Sequence, residues 1–319
     1  MCGARNTATD HYSDPDHLLC PSFLDNTRGG TFAGVLGTAR EADTCGPIPL
    51  MKPSQTFRLS LHAGNRTSGI AGVPGTFDER ISLPANPVLV VVGAHYFGGD
   101  ANDPLFGAIK GVIWDCVLLI DASPPVTRYL NLTISERRPL NLAKAPGASF
   151  RVVNEGICPD VQGEATARPF YWVDPHSRAT AWLSQTGSFK FEMVRRAAHL
   201  GGIRTHELAS RLHHQSVLCG PLLGLLRRHE VVRPSVLLLD LEGFDCTVVQ
   251  TQDWCVLRPR LLIYEDVHCG GAERRAAATA SLARDCGDDW HYQLTRVSQN
   301  TVALLVPDAR RLRRSNPLR

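Results

Sequence analysis

Five short apolar runs in this sequence each end in residues whose types could do chemistry. Val88–Val92 leads into Gly93-Ala94-His95, and Cys116–Ile120 leads into Asp121. Phe150–Val153 ends in Asn154-Glu155, Val236–Leu239 in Asp240-Leu241-Glu242-Gly243, and Leu261–Tyr264 in Glu265-Asp266-Val267-His268. Carboxylates and imidazoles gathered at one edge can take protons as general bases. A glycine lets a backbone approach a ligand closely, and an acid at the tip of a second strand is placed to accept from the hydroxyls of a ribose. The phosphate loops are missing: Gly93, Gly98 and Gly99 lack the G-x-G-x-x-G spacing, and no G-x-x-x-x-G-K-[ST] occurs. A ribose-bearing cofactor without phosphates fits what remains, and S-adenosyl-L-methionine is the common one.

These residues meet only if the apolar runs are neighbouring strands. Runs of about four to six residues rich in Val, Leu and Ile, bounded by Gly, Pro or Asp, suit strands buried on both faces of a parallel sheet. The stretches between them predict helices over about 104–110, 125–137, 189–200, 216–229, 246–252 and 272–285. Alternating strands and helices predict an α/β, Rossmann-like, doubly wound sheet, which binds ligands outside the carboxyl ends of its strands. His291–Val297 and Thr301–Val306, separated by Ser298-Gln299-Asn300, predict a terminal antiparallel hairpin. The expected domain is a seven-stranded, mostly parallel sheet over 87–307. Residues 1–86 are rich in Gly, Pro, Ser, Thr and Asp without a sustained period. They predict a weakly ordered N-terminal extension, with one strand or short helix near Thr56–Leu61. Residues 308–319 read as a basic C-terminal tail.

Composition narrows the class. The chain has 319 residues, 43% hydrophobic and 20% charged, which is ordinary globular usage. Its apolar runs are far shorter than the roughly 20 residues of a bilayer span. The opening residues lack the basic and apolar regions of a leader. A cytoplasmic protein is the expectation. A net charge of +3 gives no reason to expect a nucleic-acid partner, and the Arg310–Arg319 cluster is terminal. Ten cysteines occur without a C-x-x-C pair, so neither a metal finger nor a small disulfide scaffold is expected. Cys116 and Cys246 adjoin apolar runs and read as buried thiols in a reducing compartment. Without a leader, the sequons Asn65-Arg66-Thr67 and Asn131-Leu132-Thr133 read as chance, the second lying in an expected helix.

The block Pro234–Asp245, with its Asp240-Leu241-Glu242-Gly243-Phe244-Asp245, followed by Arg258–Glu265, resembles the FkbM family of methyltransferases. That family typically shows a strand ending Asp-x-Glu-Gly-Tyr/Phe-Glu/Asp, then a Pro, an apolar strand and a Glu. Val92–His95 with Asn102–Phe106 looks like the cofactor-loop region of an algal and plant branch, Leu119–Pro124 like the second strand and its turn, and Val153–Ile157 like the third strand end. The resemblance spans about Pro87–Pro307. It implies a class I methyltransferase fold, S-adenosyl-L-methionine as cofactor, and O-methylation of a small-molecule, sugar or lipid-linked hydroxyl. It implies Gly93 and Ala94 along the methionine and ribose, His95 in place of the family's Asn, and Asn154 and Glu155 near the adenine. Asp121 is implied at the ribose diol, with a helix cap as its other role. Asp240, Glu242, Glu265 and His268 are the implied candidate bases, although Glu242 and Gly243 could instead open the next helix. Val91 stands where the family's first-strand signature carries an acid. That departure keeps a second class open, a catalytically inactive protein that retains the fold as a binding scaffold.

Overall fold

The computed structural model describes residues 54–62, 76–95, 112–135, 143–161, 163–174, 183, 186–241, 243–284, 286 and 290–307. In chain order the first elements are β1 (Gln55–His62), β2 (Thr76–Leu83), β3 (Val88–Val92), β4 (Ile113–Ile120), α1 (Pro124–Ser135), β5 (Ala143–Val153), β6 (Glu155–Ile157) and β7 (Thr166–Val173). Then follow α2 (Phe191–Leu200), α3 (Thr205–Arg211), β8 (Leu212–Gly220), α4 (Leu222–Arg228), β9 (Val236–Leu239) and α5 (Asp245–Thr251). The chain continues through α6 (Trp254–Leu257), β10 (Leu261–Glu265), α7 (Ala272–Leu282), β11 (Trp290–Val297) and β12 (Asn300–Pro307).

Seven of the strands make one sheet in the order β11-β12-β10-β9-β3-β4-β5. β5, β4, β3, β9 and β10 are mutually parallel, while β12 runs antiparallel to both β10 and β11. This is an α/β architecture compatible with a Rossmann-like fold, with the expected hairpin in place. The sheet is buried on both faces because alternate residues of each strand enter different cores. Val91, Leu119, Leu238 and Ile263 pack on one side with Val126 and Leu130 of α1. Val92, Ile120, Leu239 and Leu262 pack on the other with Leu225 of α4, Val248 of α5, Trp254 of α6 and Leu282 of α7.

Three expectations change. The strand near Thr56–Leu61 exists, but it pairs antiparallel with β2, and Leu59, Leu61, Phe77, Ile81 and Leu83 join the core on the α1 side. The folded body therefore reaches back to Gln55 instead of beginning at 87. The helix expected over 216–229 is divided into β8 and α4. Pro221 separates them, since a proline ring clashes with the carbonyl four residues back and stops a helix from running through it. β8 instead completes a small sheet of order β6-β8-β7. The helix expected over 104–110 and the C-terminal arginines lie outside the described residues.

Third, the cysteines read as thiols are paired. Cys158–Cys219, Cys246–Cys269 and Cys255–Cys286 are disulfides with Cα separations of 5.4, 5.4 and 5.3 Å, and Cys116 is also disulfide-bonded. Sequence separations of 61, 23 and 31 residues hide these pairs until the chain is folded. The reducing compartment inferred from thiols loses its basis. Among the described residues no helix is long and apolar enough to cross a membrane.

Ile81 is fully buried under the sheet. Ile81→Ala should cost about 2–5 kcal/mol of stability in urea denaturation, and a chain shortened to begin at Pro87 should lose its cooperative transition. A stable, cooperative Pro87 fragment would show that the hairpin is dispensable.

Candidate active site at the strand ends

The strands end level. Val92 lies opposite Ile120 on one side and Leu239 on the other, Ile120 lies opposite Val153, and Leu239 lies opposite Tyr264. Gly93, Asp121, Asn154, Asp240 and Glu265 therefore leave the sheet in one row across five neighbouring strands. This convergence is the one expected from sequence.

At the β3–β4–β5 end, backbone groups use most of the polar atoms. Gly93 has φ +74, and a Cβ there would overlap the Asp240 carbonyl oxygen. The close approach that requires glycine is thus to a neighbouring strand end rather than to a ligand. The amides of Gly93 and Ala94 both donate to the Ile120 carbonyl, at 2.9 and 3.0 Å. His95, at φ 45, donates its backbone N–H to Asp121 Oδ2 at 2.8 Å. The Ser123 amide donates to Asp121 Oδ1 at 2.7 Å. Burial pushes the Asp121 carboxyl above the usual range, and the charge on Asp240 adds to this, while His95 and the two amides oppose it. Asn154 donates its side-chain amide to the carbonyls of Asp121 and Ala122, at 3.1 and 3.0 Å, so it braces the β4 turn. Glu155 is buried and pairs with Arg228 and with His229 Nε2, the latter at 2.9 Å. Burial pulls its carboxyl upward, but these two partners outweigh that and hold it below the usual range. Its carboxylate is committed to α4 and the residue after it.

The β9–β10 end is more open. Asp240 is exposed and donates its N–H to the Val92 carbonyl at 2.9 Å. Asp245, at the start of α5, is fully buried and accepts from the Leu241 amide at 3.1 and 3.2 Å. Burial, with the nearby charge of Asp240, pushes its carboxyl up to about 7. His268 Nε2 stands 3.9 Å from Glu265 Oε1, with the imidazole 57% and the carboxylate 17% exposed. Gly243, at φ +98, packs against His268, whose carbonyl a Cβ would meet at 3.2 Å. The Cys246–Cys269 disulfide ties the two loops together. Asp266, by contrast, is buried against Arg296 and Thr301 at the β11–β12 hairpin. Glu242 lies outside the described residues.

Sequence reasoning missed two contributors. Asp245 stood inside the quoted motif but carried no sign of its burial. The other is the segment Ser188–Lys190. Ser188 bridges to Tyr171 of β7, and the Phe189 ring lies where a Cβ on Gly156 would be. The Lys190 ammonium sits 5.0 Å over the Phe244 ring. The segment thus spans from the β5 side of the row to the β9 side, and no local pattern announces it. Two surface hollows lie elsewhere, one at the α2–α3 turn and one along α1. Among the described residues no group of three or more His, Cys, Asp or Glu is arranged to hold a metal ion. The row does gather carboxylates from three strand ends, Asp121, Asp240 and Glu265, and so favours a cationic ligand. No family model, no curated protein and no solved structure matches this chain.

Asp245 makes stability fall as pH rises. Its folded-state pKa lies near 7 against an ordinary 3.8. The contribution is therefore fully present below about pH 4 and lost as pH rises through 7. Asp245→Asn should flatten the decline of the urea midpoint across this window, with Asp121, shifted in the same direction, supplying the residual slope. An unchanged slope would rule out Asp245 as its source. Separately, replacing Cys246 and Cys269 together by Ala opens a link across 23 residues and should cost about 3 kcal/mol, read as the shift in denaturation midpoint against the parent.

Proposed function

We propose that this chain is an S-adenosyl-L-methionine-dependent methyltransferase acting on a hydroxyl oxygen of a small-molecule, sugar or lipid-linked acceptor. The observation that carries this reading is the level row of five parallel strand ends, in a sheet closed by an antiparallel strand inserted between β10 and β11. That is the sheet the FkbM resemblance implies, and the residues in the row are those its motif names. The excess of carboxylates at the row suits the positive charge of a sulfonium and of an α-amino group. Asp121 holds two backbone amides, yet a carboxylate has about four lone-pair sites and can still accept from a ribose hydroxyl.

When bound, the cofactor would supply an electrophilic methyl group on a positively charged sulfur. The chain's residues then have two tasks. The first is to hold the acceptor oxygen in line with the carbon–sulfur bond, an effect of positioning. The Gly93–His95 loop and Asp121 form one wall, and Lys190 with Phe244 stands on the β9 side. The second is to take the hydroxyl proton as the new carbon–oxygen bond forms. His268 beside Glu265 suits that role: the imidazole is open to solvent and its carboxylate neighbour is mostly covered. Asp240 and Glu242 are the remaining candidates. Asp245 is buried and bound to the loop amide, so its role is to position that loop.

Binding of S-adenosylhomocysteine by calorimetry tests the cofactor. Asp121→Ala should weaken it by roughly 10–150-fold, the cost of a charge-assisted hydrogen bond. Because Asp121 also anchors His95 and Ser123, its thermal midpoint must be followed alongside. His268→Ala should leave that affinity intact and lower turnover about 10²–10⁴-fold with labelled methyl donor and a responsive acceptor. One observation favours the second reading, an inactive scaffold: Asn154 and Glu155 are occupied by backbone carbonyls and by Arg228 and His229. Complete absence of S-adenosylhomocysteine binding by the folded parent would sink the enzyme reading and leave the scaffold.

A further inference from the structure

A second group of features is independent of the methyltransferase reading. Cys158–Cys219, Cys246–Cys269 and Cys255–Cys286 are closed within the folded body, and Cys116 is bonded as well. Disulfides in this number persist in oxidising compartments and are rare where glutathione and thioredoxin keep thiols reduced. That is also where N-linked glycans are added, and it changes the meaning of the sequon Asn131-Leu132-Thr133.

We propose that Asn131 carries an N-linked glycan. The sequon lies on α1, whose inner stripe is Val126, Thr127, Leu130 and Thr133, all buried at helical spacing. Arg128, Asn131 and Leu132 face outward and are exposed. Leu132 leaves 49% of its surface in water, an apolar patch beside Asn131 that a glycan would shield. The helix is no obstacle, because the transfer acts on the emerging, unfolded chain. Once folded, the Thr133 hydroxyl turns inward and donates to the Tyr129 carbonyl at 2.9 Å, leaving the Asn131 side chain on the outer face. Asn131 lies seven residues past Pro124, about 10 Å along the helix axis from the end that adjoins Asp121, so the glycan stands clear of the candidate active site.

The chemistry needs a polyprenyl-diphosphate oligosaccharide as co-reactant. The Asn131 amide nitrogen bonds to the anomeric carbon of the first sugar. The bond from that carbon to the diphosphate breaks, the diphosphate leaves with the electron pair, and the amide nitrogen gives up one proton.

The test uses the full chain recovered from the cells that make it, with thiols alkylated at lysis, followed by peptide mass mapping with and without peptide-N-glycosidase. The expected result has two parts. The Asn131 peptide appears only after deglycosylation, with asparagine converted to aspartate. The Cys246 and Cys269 peptides are recovered linked. The gel shift on deglycosylation should be lost in Asn131→Gln and kept in Thr133→Ser, whose thermal midpoint falls only by the loss of one buried methyl group. Asn65→Gln separates any contribution of the other sequon. Paired cysteines with an unmodified Asn131 would overturn the glycan, and alkylated cysteines would overturn the compartment together with it.

Discussion

The contact between Gly93 and the Asp240 carbonyl is the constraint from which the rest of the site follows. β3 and β9 run parallel and in register, so that Val92 and Leu239 end side by side. Immediately beyond, the chain from β3 must turn across the end of β9, and there is no room for a side chain at the crossing. Glycine both fits the gap and adopts the positive φ of the turn. With the turn made, the Gly93 and Ala94 amides reach the Ile120 carbonyl and the His95 amide reaches Asp121. One missing methyl group thus lets three strand ends share a single rim.

The rim is electrostatically lopsided. Around β4 and β5 its polar groups are bound by backbone amides and carbonyls, or by Arg228 and His229, and they behave as structural braces. Around β9 and β10, Asp240 and His268 are exposed. There burial, with the nearby charge of Asp240, raises the carboxyl of Asp245, and the exposed His268 stands beside the mostly covered Glu265. The Cys246–Cys269 disulfide holds the start of α5 against the loop that follows β10.

The small sheet of β6, β8 and β7 adds a second layer of constraint. β6 follows β5 after a single residue, so Glu155 is carried straight from the rim into an ion pair beside α4. The bridge from β7 to Ser188 then returns the chain over the rim, where Phe189 and Lys190 meet residues from strands far apart in sequence.

The α/β class, five of the seven sheet strands as apolar runs, the closing hairpin and the row of polar strand ends were all legible in the sequence. Each depends on local regularity: apolar runs of strand length, glycine and proline boundaries, and the rule that parallel strands release their ligand-facing residues on one edge. What tertiary structure alone decided was every property set by contacts distant along the chain. The β1–β2 hairpin belongs to the core because its apolar side chains meet α1 and the sheet. β8 is a strand because β6 and β7 pair with it on both sides, where local pattern pointed to a helix. Asp245 titrates near neutrality because folding removes its water and brings Asp240 close. Cys246 is a disulfide partner because the α5 and β10 loops converge. Burial and pairing are properties of neighbours in space, and a one-dimensional pattern identifies those neighbours only where they recur at a fixed local period.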